Sequence, residues 1–83
     1  MIKIERNQNN FEDDIVEYVA ATNTILEVSE LQGSDYVEWQ TDRDEKFWGT
    51  LTLRDKIALS SGQRIYLRID NGIAYLAEMK GLL

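Results

Sequence analysis

Between Arg64 and Met79, apolar and polar side chains alternate on either side of Asp70-Asn71-Gly72. Alternation with period two sorts side chains onto the two faces of a β-strand, so strands are expected on both sides of a turn. Asn-Gly and Asp-Gly sequences favour the positive-φ turns that reverse a chain. A three-residue loop at Asp70-Asn71-Gly72 pairs Ile69 with Ile73, Leu67 with Tyr75 and Ile65 with Ala77. It leaves Arg64, Tyr66 and Arg68 opposite Glu78, Leu76 and Ala74. This register collects one nearly clean apolar face and predicts a C-terminal hairpin.

The same pattern extends upstream. Ile2 to Glu5 reads as a short strand. Residues 24–31 and 36–41 flank Gln32-Gly33-Ser34-Asp35, which is rich in turn formers. Pairing Leu31 with Tyr36 sets Val28 opposite Trp39 and Leu26 opposite Thr41, and predicts a second hairpin; only Glu30 falls on its apolar face. Phe47 to Leu53 reads as a strand with Phe47, Gly49, Leu51 and Leu53 on one face. Residues 54–61 fit a strand or a helical turn, with Ser60-Ser61-Gly62 closing them.

One segment reads differently. Asn10 is a suitable helix N-cap, and Glu12, Asp13 and Asp14 suit the positive end of a helix dipole. Phe11, Ile15, Tyr18, Val19 and Thr22 share one helical face, which predicts an amphipathic helix over 11–22. The expected fold is therefore a single α+β domain over 1–83. In it one helix packs on a mostly antiparallel sheet of five or six strands, or on a small half-open barrel.

Composition narrows the chemistry. The 83 residues include no Cys and no His. Disulfides, thiolate and imidazole metal ligands, and Ser-His or Cys-His catalysis are thereby excluded. Asp42 and Asp44 begin like a calcium loop, but Lys46, Phe47 and Leu53 stand where that loop needs an oxygen ligand, Gly and Glu. No cofactor and no enzymatic activity are expected. No apolar run reaches the roughly 18 residues of a membrane span, and a cytosolic setting is expected.

Charge is distributed unevenly. Residues 1–45 hold twelve acids against three bases, a net of −9; the remaining 38 hold six bases against three acids, a net of +3. The total is −6. A one-sided field of this kind favours a basic partner and disfavours direct nucleic-acid binding. Carboxylates one helical turn or two strand positions apart stand at distances of the order of phosphate spacings. Such groups could occupy a basic channel made for nucleic acid. The candidate partner-binding residues are Asp13, Asp14, Glu17, Glu27, Glu38, Asp42, Asp44 and Glu45, with Tyr36 and Trp48 as aromatic contacts. Arg64 and Arg68 either pair with acids of the first half or, with Tyr66 between them, form an anion site.

Residues 49–57, Gly-Thr-Leu-Thr-Leu-Arg-Asp-Lys-Ile, and 59–72, from Leu59 through Ser60-Ser61-Gly62 to Asp70-Asn71-Gly72, locally resemble the swapped-hairpin transcription-factor and antitoxin family. The resemblance covers about residues 49–79 and implies a DNA-binding dimer with a final hairpin. Arg54 and Asp55 replace that family's proline and lysine, and Gln63 its acidic residue, so the chain is not assigned to it.

The expected function is a small, non-enzymatic inhibitor or modulator of a nucleic-acid-handling protein, of the kind bacteriophages direct against restriction or CRISPR systems. Two alternatives stand beside it. One is a structural or homo-oligomerising β module using a strand edge with Trp48 or Tyr36. The other is the dimeric DNA-binding hairpin.

Overall fold

A computed structural model describes residues 1–6, 15–42 and 46–80. Among them are eight strands: β1 (Ile2–Glu5), β2 (Val16–Val19), β3 (Thr24–Gln32), β4 (Val37–Gln40), β5 (Gly49–Leu51), β6 (Lys56–Leu59), β7 (Arg64–Arg68) and β8 (Ile73–Lys80). They form two four-stranded antiparallel sheets, ordered β1-β8-β3-β6 and β2-β7-β4-β5. First pairs with last, second with seventh, third with sixth and fourth with fifth. Those are the contacts of one long hairpin rolled over on itself, and β3–β8 and β4–β7 complete the sheets. This is jelly-roll connectivity.

The described residues contain no helix, which overturns the α+β expectation. Of the helix expected over 11–22, Val16–Val19 is a strand, Ile15 and residues 20–22 are not helical, and residues 11–14 lie outside the described residues. Val16 and Tyr18 are half-buried against the core, while Glu17 and Val19 face out. Residues 15–19 fit a helical face and a strand face equally well over so short a span. Branched Ile15, Val16 and Val19 favour extended backbone, and β7 offers a ladder through Val16↔Leu67 and Tyr18↔Ile65.

Both expected hairpins are also absent. β7 and β8 belong to different sheets, as do β3 and β4. The predicted registers Ile69↔Ile73 and Leu31↔Tyr36 therefore do not form, and neither does the final hairpin of the swapped-hairpin resemblance. The inward stripe predicted on β7 holds, with Ile65 and Leu67 buried and Ile69 continuing it. On β8 the inward residues are Ala74 and Leu76, the opposite phase from that expected. At Asp70–Gly72 the chain crosses from one layer to the other instead of turning back within a sheet. Gly72 (φ +82) lies against Gly33 (φ +76), so the two crossings touch through backbone.

Glu30 is exposed because the β3–β8 register shifts between Val28 and Glu30. Such a bulge reverses the phase of the strand beyond it. Thr24, Leu26 and Val28 are buried before it and Leu31 is half-buried after it. Residues 56–59 resolve as a strand with Ile57 and Leu59 inward. The strand expected over 47–53 is confined to Gly49–Leu51. Of its expected apolar face only Leu51 is buried; Phe47 is 85% and Leu53 51% exposed.

The core draws on seven strands, with Ile4, Leu26, Val28, Val37, Leu51, Ile57, Leu59, Ile65, Leu67, Ala74 and Leu76 between the layers. Seven of the eight strands meet their neighbours with these residues, and β2 adds half-buried Val16 and Tyr18. No helix of the described residues is long and apolar enough to cross a membrane.

Candidate interaction surface

Because Val37, Ile65 and Leu67 point inward, period-two alternation turns Glu38, Arg64, Tyr66 and Arg68 to the outer face of the β2-β7-β4-β5 sheet. Glu38 pairs with Arg68 across β4 and β7. The Arg68 Nε donates to Glu38 Oε1 at 3.2 Å and Nη2 to Oε2 at 3.4 Å. The Cζ of the same guanidinium lies over the Trp48 ring, 3.9 Å from its centroid. Trp48 precedes β5 while Arg68 is on β7, so the indole reaches across the intervening β4. On the next row outward, Arg64 Nε is 3.1 Å from Glu17 Oε1. Both arginines are thus matched to carboxylates of the acidic half.

Arg68→Lys keeps the charge but loses the forked geometry and the planar stack. With Arg68 39% exposed, the expected loss is modest, about 0.5–1 kcal/mol by urea titration. A red shift in tryptophan emission should accompany it as Trp48 gains water.

On the other sheet, Glu27 is only 18% exposed in its side chain and lies 3.7 Å from Arg54 Nη1 and 3.6 Å from Lys56 Nζ. Arg54 occupies left-handed backbone (φ 75), in the turn joining β5 to β6. That turn is anchored to the bulge of β3: Arg54 N–H donates to the Val28 carbonyl at 2.8 Å, and Val28 N–H to that of Asp55 at 3.0 Å. The Asp55 carboxylate closes it, accepting from Thr52 N–H at 2.8 Å and Thr52 Oγ1 at 3.0 Å.

These bonds favour the ionised form and hold Asp55 below the usual aspartate value of 3.8. A carboxyl with a lowered folded pKa stabilises the fold above its unfolded pKa and loses that contribution as pH falls through the folded value. Asp55→Asn should therefore be less stable than the parent at neutral pH. The gap should close as pH drops below about 3.8, read from paired urea titrations.

The ten sequence-predicted residues do not form one surface. Glu17 and Glu38 lie on the outer face of one sheet and Glu27 on the other sheet. Asp42 is exposed in the β4–β5 connection, and Tyr36, 38% exposed, is in the β3–β4 connection. Trp48 is half-buried under its arginine. Asp13, Asp14, Asp44 and Glu45 lie outside the described residues. Sequence reasoning offered Arg64 and Arg68 as partners for acids of the first half, and they are, but it did not say which acids they meet. Glu17 and Glu38 meet Arg64 and Arg68 only because β7 runs between β2 and β4.

The topology sorts the remaining charge. Among the described residues, pairings Gln32↔Ile73, Val37↔Leu51 and Glu38↔Arg68 bring three connections to one end of the sandwich: 33–36, 52–55 and 69–72. These carry Asp35, Asp55 and Asp70 against Arg54, and Arg54 lies 3.7 Å from Glu27 of the sheet. The opposite end, in its described residues, carries Asp42 against Lys46. Family models, curated proteins and solved structures give no match to this chain.

Proposed function

We propose that the protein is a non-enzymatic interaction module that presents the acidic end of its sandwich to a basic partner protein. Its target class is nucleic-acid-handling proteins, which it inhibits or modulates by occupying a surface that otherwise receives phosphates. The observation that supports this reading is the division of the charge. The sheet-face acids Glu17, Glu27 and Glu38 are neutralised by Arg64, Arg54, Lys56 and Arg68. The connections 33–36, 52–55 and 69–72 at one end carry Asp35, Asp55 and Asp70, and their single base, Arg54, is taken by Glu27. Carboxylates left with few cations of their own attract a cationic surface at long range and lose that attraction as salt rises.

The test is a pull-down from bacterial lysate with tagged protein, eluted by a salt gradient. Reversing Asp13, Asp14, Asp35 and Asp70 together to Lys should abolish capture of a basic partner, while Glu17→Gln should retain it. Equal binding by the parent and the fourfold reversal would reject the acidic end as the binding surface. Loss of binding in Glu17→Gln alone would return the site to the sheet face.

A further inference from the structure

Among the described residues, each sheet has two outer strands with one unpaired ladder edge: β1 and β6 in one sheet, β2 and β5 in the other. An exposed ladder edge is a template for another chain, and charged side chains are the usual guard. β1 carries Lys3 and Glu5, β6 carries Lys56, and β2 carries Glu17. β5 carries none. From Phe47 to Leu53 the chain reads Phe-Trp-Gly-Thr-Leu-Thr-Leu, seven residues without a charge around the edge strand Gly49–Leu51. Among the described residues five large hydrophobics are exposed, and two of them, Phe47 at 85% and Leu53 at 51%, flank this one strand.

We propose that β5 pairs antiparallel with β5 of a second copy of this chain, joining two β2-β7-β4-β5 sheets into one eight-stranded sheet across a twofold axis at Thr50. The sequence is complementary to itself about that residue. Pairing centred on Thr50 sets Gly49 opposite Leu51 of the second copy. Because the strands run antiparallel, Phe47 of one copy and Leu53 of the other, which flank the three-residue strand, come to the same end of the shared ladder, and symmetry repeats this at the other end. The same operation gathers both exposed apolar residues at the new interface, which no other described edge offers.

Charge selects this orientation. Asp35, Asp55 and Asp70 lie past the C-terminal side of β5, so an antiparallel pair keeps these acids of the two copies apart, whereas a parallel pair would set them side by side. The β5 edge contributes none of those acids, so substitution at Thr50 and charge reversal at the acidic end test the two readings separately.

Thr50 gives a test that leaves the fold intact, since its side chain is exposed. Across the twofold axis position 50 faces itself, and like charges directly opposite one another destabilise a strand pair. Sedimentation equilibrium of the whole chain should show a mass rising with concentration from 9.6 kDa towards twice that value. Thr50→Lys and Thr50→Glu should each shift the chain back to monomer, and mixing the two should restore a dimer about tenfold tighter than either alone. Phe47→Ser should weaken association without changing the urea midpoint of dilute protein. A parent chain that stays at 9.6 kDa at every concentration would overturn the proposal. So would a dimer indifferent to charge at position 50, because its interface would lie elsewhere.

Discussion

Gly72→Ala is expected to cost at least about 3 kcal/mol, from a quarter to three-quarters of the roughly 4–12 kcal/mol expected for a chain of this size. Two effects add. The residue has φ +82, where a side chain introduces strain of about 1–2 kcal/mol. A Cβ at this position would also overlap the Gln32 carbonyl oxygen and come within 2.8 Å of the Gly33 carbonyl carbon. Both obstacles are backbone, so neither can rotate away. Relief would require the two layer crossings to separate, taking the ends of β3 and β8 with them. Gly62 supplies the control. Its φ is +84, but nothing lies within 4 Å of the position a Cβ would take. Gly62→Ala should therefore show the strain alone, about 1–2 kcal/mol, partly offset by the reduced freedom of the unfolded chain. Urea midpoints for the two variants, at unchanged slope, separate contact from conformation. Equal losses would mean that the packing of Gly33 on Gly72 contributes nothing.

Leu67→Ala is expected to cost about 2–5 kcal/mol, against a total of about 4–12 kcal/mol for a chain of this size. Leu67 is fully buried at the middle of its sheet, paired with Val16 of β2 on one side and Trp39 of β4 on the other. The cavity opens where three strands meet, so the surroundings have little freedom to close it. Val19→Ala, on a side chain 46% exposed, should change stability by no more than about 0.5 kcal/mol. A small loss at Leu67 would show that the sheet relaxes around the deletion, and should be accompanied by a changed urea slope.

Alternation located the strands better than it located their partners. It identified the inward residues Leu26, Val28, Ile65 and Leu67 from sequence, because period two is a property of the strand alone. It did not identify the neighbours. Asp70-Asn71-Gly72 and Gln32-Gly33-Ser34-Asp35 signal that the chain changes direction, and that signal is the same whether the chain returns beside itself or passes to the opposite layer. The choice here rests on the contact of Gly33 with Gly72, between positions far apart in the chain. One clue was present. Glu30 on an otherwise apolar face marks the register shift between Val28 and Glu30. The helix over 11–22 failed for a related reason: four described residues, Val16–Val19, are too few to distinguish a period of 3.6 from one of 2. Of the candidate surface, the acids and the option that Arg64 and Arg68 neutralise some of them were legible, but the individual pairs were not, since each joins residues brought together only by strand order.

The pairing of first strand with last sets the order in which the molecule can be completed. β8 lies between β1 and β3, so the first layer has a gap at its centre until residues 73–80 are available. A chain emerging from the ribosome N-terminus first would hold Ile4, Leu26 and Val28 without the Ala74 and Leu76 that cover them. Synthesis proceeds at about 5–20 residues per second, slowly compared with local collapse. The nascent protein therefore waits with apolar strands exposed and closes this layer only once residues 73–80 have emerged, when β8 slots between two strands made well before it.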